Sequence, residues 1–141
     1  MKRLILGNII CVAFLSCTPE QSTVSEYQIE SGLSVPIVLR FFRNGVPSEN
    51  MAPVHLKGIG DKIKRSGETL GTTTSPFDVF DADSILIIFD EKRFQGHNLF
   101  EPKGSSLLNQ LDYQNLGNGK FLYVIDEENF SASLDCQDIC Y

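Results

Sequence analysis

The most constraining feature of this chain is a run of five consecutive apolar residues, Ile85 to Phe89. A strand formed by this run has apolar side chains on both of its faces. This pattern is typical of a strand that is covered on both sides or that lies at the centre of a sandwich. We therefore expect Ile85, Ile87 and Phe89 to lie in the hydrophobic core.

Shorter stretches around this run alternate apolar with polar residues, as strands with one buried face do. The candidate strands are residues 26–31, 35–42, 52–58, 61–67, 84–89 and 121–125. Asn44-Gly45 is a strong turn signal, and residues 66–76 have the composition of a loop. Turn signals about every ten residues predict an all-β fold. We expect a small immunoglobulin-like β-sandwich, with a small β-barrel as the alternative.

One short helix is predicted near the C-terminus. Asp126 is a good N-cap residue, and Glu127 and Glu128 follow where the helix dipole favours negative charge. Phe130 and Leu134 are four residues apart, so they would share one face of this helix.

The N-terminus has the pattern of an export signal. Lys2 and Arg3 precede an apolar stretch from Leu4 to Leu15 that is interrupted only by Gly7 and Asn8. A membrane-spanning helix needs about 20 apolar residues, and this stretch is shorter. Basic residues, a short apolar run and a small residue at its end are typical of a secretory signal. A buried N-terminal helix is the alternative.

The signal ends in "FLSC", which resembles the lipobox of bacterial lipoproteins. The resemblance implies cleavage after residues 1–16 and a lipid on Cys17, followed by a polar tether over 17–25. Residues 26–141 would then form a single β-rich domain. The family usually has Leu and a small or β-branched residue where this chain has Phe14 and Leu15. Ordinary cleavage after Ala13 is therefore the alternative.

The whole arrangement resembles the short envelope lipoproteins of Gram-negative bacteria, which join a lipid cysteine and a tether to one small β domain. Beyond the signal, the likeness is carried by "DSILIIFDEKR" and "YVIDEENF". It implies a lipid-anchored protein of the cell envelope. Thr18 in place of Asp favours the outer membrane, on its periplasmic or surface side. The resemblance gives no information about a specific activity.

The charge of the chain limits its partners. Its formal net charge is −6, and loss of Lys2 and Arg3 with the signal would make it more negative. Such a protein repels nucleic acid phosphates and anionic lipid headgroups. Membrane contact would therefore depend on the lipid anchor, and we expect an envelope protein or a glycan as partner, with no nucleic acid.

The chain has four cysteines. Cys11 would leave with the signal and Cys17 would carry lipid, which leaves Cys136 and Cys140. An even remainder in an exported protein predicts a disulfide. With three residues between them, the two cysteines can pair only across a helical or tight turn. Free or intermolecular thiols are the main alternative, and a metal site lacks further ligands nearby.

Few residues suggest catalysis, and we expect a non-enzymatic binding or structural module without a cofactor. His55 lies on the outward face of a predicted strand. His97 lies in a predicted loop with Glu101 four residues later, but no nucleophile motif accompanies this pair. A small envelope enzyme or enzyme inhibitor acting through the loop region 91–105 is the alternative function.

Asp78, Asp81 and Asp83 are weak candidates for a calcium site. Clustered carboxylates on a loop are the ligands that a hard cation prefers. The spacing is not that of an EF-hand, however, and acidic residues before a core strand commonly keep the sheet edge soluble. We therefore expect no metal.

Overall fold

The computed structural model describes residues 21–137 and 140. These residues form two β-sheets that pack against each other with the main core between them. The predicted small all-β sandwich is confirmed, and the described strands do not close into a barrel. In chain order the elements are β1 (Ser22–Ser31), β2 (Ile37–Arg43), β3 (Val46–Pro47), β4 (Val54–Leu56), β5 (Lys62–Leu70), α1 (Pro76–Phe80), β6 (Ser84–Phe89), β7 (Arg93–Asn98), a 3-10 turn (Gln110–Asp112), β8 (Gln114–Gly117), β9 (Lys120–Ile125), α2 (Glu127–Ser131) and β10 (Leu134–Asp135).

The first sheet has the strand order β5-β1-β9-β8. Strand β1 is antiparallel to β5, with Ile29 opposite Ile63. It is parallel to β9, with Tyr27 opposite Phe121. The first strand of the chain is therefore central in its sheet, between one strand from the middle of the chain and one from near its end.

The second sheet has the order β10-β7-β6-β2-β3, and β4 also pairs with β2. Ile85, Ile87 and Phe89 of β6 are each at most 1% exposed. This confirms that the run contributes to the core. Ile88 lies on the opposite face of β6, where it is also buried. The central strand is thus covered on both sides, as its sequence predicts.

Aromatic side chains fill much of the core, and Tyr27 lies among them. Its ring centroid is 5.0 Å from that of Phe121 and 5.1 Å from that of Tyr113. Its hydroxyl donates to the carbonyl oxygen of Thr74 at 2.6 Å. Burial, with a smaller contribution from the charge of Asp78, raises the pKa of Tyr27 to about 12. The phenol therefore stays neutral and its hydrogen bond is retained at physiological pH.

A second, smaller core covers the outer face of the second sheet. Ile88 packs there with Cys136 and Cys140, and Phe94 lies against this cluster. The two cysteines form the predicted disulfide, with their Cα atoms 5.4 Å apart. The backbone N–H of Cys136 donates to the carbonyl oxygen of Lys92 at 2.9 Å. The end of the chain is thus attached to β7 and shields apolar side chains that would otherwise face solvent.

Three local predictions differ from the structure. Residues 22–25, assigned to the tether by composition, belong to β1 because they pair with β5. Residues 66–70, assigned to a loop, complete β5 for the same reason. Helix α1 was not predicted, although Ser75 caps it by accepting from the Asp78 backbone N–H and Pro76 occupies its first turn. Polar sequences can form strands where a partner strand satisfies their backbone groups. The predicted signal peptide, the predicted lipid site Cys17 and the first residues of the predicted tether lie outside the described residues.

The short C-terminal helix is confirmed as α2, with Asp126 as its N-cap. It ends at Ser131, however, so the expected face shared by Phe130 and Leu134 does not form. Leu134 lies in β10 instead and is 64% exposed. The short strand β10 pairs with β7, which satisfies the backbone of the chain where the helix has ended.

Candidate functional site

A polar pocket of about 260 Å³ opens where the two sheets approach α2. We call it the Tyr123 pocket. It is lined by Gln95, Lys103, Gly104, Ser105, Asp112, Tyr123, Val124, Asp126, Glu128, Asn129 and Ala132. Most of these side chains carry hydrogen-bonding groups, which distinguishes the pocket from the apolar core beside it.

A network of neutral side chains forms the floor of the pocket. The amide Nδ2 of Asn129 donates to the hydroxyl of Tyr123 at 3.0 Å and to Oε1 of Gln95 at 3.1 Å. The Tyr123 hydroxyl lies 2.9 Å from Oγ of Ser105. Tyr123 belongs to β9 of the first sheet and Gln95 to β7 of the second. Asn129 therefore links the two sheets at the bottom of the pocket.

The helix cap fixes the amide of Asn129. Oδ1 of Asp126 accepts hydrogen bonds from the backbone N–H groups of Glu128 and Asn129, at 3.0 and 3.3 Å. Oδ1 of Asn129 accepts in return from the backbone N–H of Asp126 at 3.1 Å. This reciprocal capping box holds the Asn129 side chain in one orientation. Asn129 is consequently a fixed donor, and its neighbours on the floor are positioned by it.

The two hydroxyls of the floor share one hydrogen bond. The Tyr123 oxygen accepts from Asn129 and lies 2.9 Å from Ser105 Oγ, and either hydroxyl can be the donor in that pair. The Ser105 hydroxyl can therefore donate toward the pocket when Tyr123 donates to it, and it can accept there in either arrangement. Burial raises the pKa of Tyr123, and the charges of Asp112 and Asp126 raise it further, against the hydrogen bonds from Ser105 and Asn129. Tyr123 is therefore a neutral phenol at physiological pH.

Charged side chains stand around this neutral floor, with Lys103 as the single cation among the lining residues. Oδ2 of Asp112 accepts from the backbone N–H of Ser106 at 2.8 Å and from Nδ2 of Asn109 at 3.0 Å. Asp126 is engaged in the helix cap. Two of the three carboxylates thus have one oxygen committed to the protein backbone, and each keeps a second oxygen.

The ring of His97 lies 6.4 Å from that of Tyr123, between centroids, but His97 is not positioned as a catalytic base. The structure places it in β7 rather than in a loop, and it is 3% exposed. Its Nδ1 accepts from the backbone N–H of Leu107 at 2.9 Å. Its Nε2 is buried without a partner in the described part of the chain. Burial lowers the pKa of His97 to about 4, against the opposing charge of Asp112, so the ring is neutral.

A second, largely apolar groove of about 370 Å³ lies on the outer face of the second sheet. It is lined by Phe42, Ser84, Ile85, Leu86, Gly96, His97, Asn98, Glu101 and Lys103. His97 and Glu101 thus line one groove, but within the described residues they form no hydrogen bond with each other. Ser84 donates to Oδ1 of Asp83 at 3.1 Å rather than to His97. The described residues therefore do not join His97 and Glu101 as a base and its orienting partner.

The calcium candidates each serve a different local contact. Asp78 accepts from the Ser75 hydroxyl at 2.6 Å, and Asp83 accepts from the backbone N–H of Asn44 at 2.7 Å. Asp81 pairs with Arg43, and hydrogen bonds led by that from Asn50 lower its pKa. Across residues 21–137 and 140, no three Asp, Glu, His or Cys side chains are grouped to hold a metal ion. His55 is exposed on β4, as predicted.

The sequence predicts Asp126 and Glu128 at the start of a helix and offers the region 91–105 as an alternative functional loop, but it does not predict that these parts share a pocket. Asn129 follows the predicted N-cap Asp126 by three positions, and this spacing could have indicated a capping box. Gln95, Ser105 and Tyr123 lie in separate segments, and no local pattern connects them. They come together because Asn129 of α2 bonds to both Gln95 and Tyr123, and Ser105 bonds to Tyr123.

No family model matches the chain, and no significant match to it is found among curated proteins or solved structures. The helices of the described residues include none long and apolar enough to cross a membrane.

Proposed function

We propose that this chain is a lipid-anchored binding module of the cell envelope that holds a small polar ligand in the Tyr123 pocket. The observation that carries the proposal is the fixed floor formed by Gln95, Ser105, Tyr123 and Asn129. Its members are held by one another and by a helix cap. A site whose polar groups are already oriented loses little entropy when a ligand binds.

The protonation states support binding rather than catalysis. The lone pair of His97 Nδ1 is used by Leu107, and its buried Nε2 carries the ring proton. The Ser105 hydroxyl is paired with the neutral phenol of Tyr123 instead of a base. A serine nucleophile needs a base within hydrogen-bond reach, and among the described residues the Ser105 hydroxyl is hydrogen-bonded to Tyr123 alone.

The position of the pocket suits a protein anchored through its N-terminus. Strand β1 begins at Ser22, five residues after the proposed lipid site, Cys17. Tyr123 pairs with Ile29, seven residues farther along β1. At about 3.3 Å a residue, this strand would separate the pocket from the anchored end by roughly 23 Å. An N-terminal anchor would thus be attached at the opposite end of β1 from the pocket.

Intact-mass analysis and membrane fractionation test the anchor, in protein made in a Gram-negative host. We expect the mature chain to begin at Cys17 and to carry acyl groups. Cys17→Ser should lose the acyl mass and leave the membrane fraction, since several acyl chains are needed for stable anchoring. Cys11→Ser is the matched control and should remain lipidated. A mature mass that begins at Phe14 without an acyl adduct would contradict the anchor.

A small envelope enzyme or enzyme inhibitor is the second candidate, favoured by one observation. The segment 91–105 supplies Gln95, Lys103 and Ser105 to the Tyr123 pocket, and His97 and Glu101 to the outer groove. Labelling with a serine-directed fluorophosphonate tests the enzyme. Modification of Ser105 that is lost in Ser105→Ala would favour catalysis, whereas we expect no labelling of Ser105.

A further inference from the structure

We infer that the Tyr123 pocket binds an uncharged sugar unit of a glycan. This inference rests on the binding function proposed above and names its ligand class. The relevant features are the mixture of donors and acceptors at the floor, the balance of charges at the rim and the size of the pocket.

The free groups of the pocket match hydroxyl groups, each of which can both donate and accept. Oε1 of Gln95 is used by Asn129, which leaves its Nε2 as a donor. The Ser105 hydroxyl can act as a donor or as an acceptor, because either it or Tyr123 can donate in the bond that joins them. Asp112 and Asp126 each keep one carboxylate oxygen as an acceptor. A ring of neighbouring hydroxyls could use both kinds of partner at once.

The charges at the rim disfavour an anion, and the donor at the floor disfavours a cation. An anion would meet three carboxylates against the single cation of Lys103. A cation would be attracted by the carboxylates, but it offers no acceptor to Nε2 of Gln95 at the floor. An uncharged ligand that both donates and accepts avoids both penalties.

The dimensions and the apolar contacts fit a ligand of one or two sugar rings. The volume of about 260 Å³ is slightly below the range of pockets that hold drug-sized ligands. Val124 and Ala132 add small apolar surfaces to an otherwise polar lining. The C–H face of a sugar ring can pack on such surfaces while its hydroxyls bond to the floor.

Titration of the labelled full chain with defined sugars, followed by NMR, tests the inference. The protein is kept in a sugar-free detergent, and the probes are glucose, N-acetylglucosamine and diacetylchitobiose. We expect chemical-shift changes centred on Gln95, Ser105 and Asn129. Gln95→Ala should weaken binding about fivefold to tenfold through loss of a hydrogen bond, and Gln114→Ala, on the exposed edge strand β8, should not.

Ionic strength distinguishes a sugar from an ion. The affinity for the sugar should be the same at low and high ionic strength, because an uncharged ligand forms no ion pair for salt to screen. A strong salt dependence would overturn the inference.

Putrescine and inorganic phosphate complete the set of probes. Binding of either at the pocket, without binding of the sugars, would refute the sugar and retain the proposed binding function. If a broad set of small polar compounds shifts no pocket residue, the sugar inference and the proposed pocket function are both wrong.

Discussion

Nδ1 of His97 accepts a hydrogen bond from the backbone N–H of Leu107 at 2.9 Å, inside the protein. The bond requires a neutral imidazole, because a protonated ring has no lone pair to accept with. It also connects β7 to the long segment that precedes β8. The protonation of one buried side chain is thereby linked to the attachment of that segment.

Acidification should therefore destabilise the fold through His97. Burial lowers its pKa from the ordinary 6.5 to about 4, so the unfolded chain takes up a proton at a higher pH than the folded chain does. The free energy of unfolding should fall as the pH drops from about 6.5 to 4, by up to about 3 kcal/mol from this group. Denaturant unfolding across this range measures the slope. His97→Gln should reduce the slope and His55→Gln should not, and an unchanged slope in His97→Gln would contradict the assignment.

Gly119 should tolerate no side chain. Its φ is +71°, and an added Cβ would collide with the carbonyl oxygen of Val24. Its own carbonyl accepts from the backbone N–H of Glu26 at 2.8 Å, which holds the two strands together. Gly45 has a similar φ of +77° but open space around it, so it is the matched control.

We expect Gly45→Ala to lower the free energy of unfolding by about 1 kcal/mol through backbone strain. Gly119→Ala should cost about 2 kcal/mol more, because it adds the collision with β1. Chemical denaturation measures both. Equal effects of the two variants would show that the close approach to Val24 is relieved at little cost.

Ile87 should be one of the most sensitive core positions, since its side chain is fully buried in the central strand of the second sheet. Ile87→Ala should lower the free energy of unfolding by roughly 2–5 kcal/mol, through lost transfer energy and a cavity. Leu134→Ala is the control, because Leu134 is 64% exposed and should change stability little. A denaturation midpoint that does not move in Ile87→Ala would contradict the buried position.

The disulfide should shield the outer face of the second sheet from solvent, and it should contribute little to the global free energy of unfolding. The loop between Cys136 and Cys140 is short, so replacing both with Ser should cost at most about 2 kcal/mol in global stability. The same change should expose Ile88 and Phe94. We expect faster proteolysis near the C-terminus and increased binding of a hydrophobic dye. Identical proteolysis of the variant and the parent protein would argue against this shielding.

The sequence allows the architecture to be predicted better than the site. Three local patterns are found as predicted, since each depends on residues that are close in sequence. They are the run of β6 that is apolar on both faces, the helix cap at Asp126 and the disulfide between Cys136 and Cys140. The boundaries of β1 and β5 were misplaced because their polar ends are ordered by pairing with each other. The Tyr123 pocket depends on contacts between distant segments, which spacing along the chain does not encode.

The parallel pairing of β1 with β9 has a consequence for the order of synthesis. The central strand of the first sheet is among the first described residues to be made, yet one of its two neighbours spans Lys120–Ile125. A nascent chain cannot complete this sheet until β9 has left the ribosome. Contacts that join distant parts of a chain also form slowly. The first sheet therefore stays incomplete while the residues between β1 and β9 are made, a state in which exposed strand edges invite chaperones or aggregation.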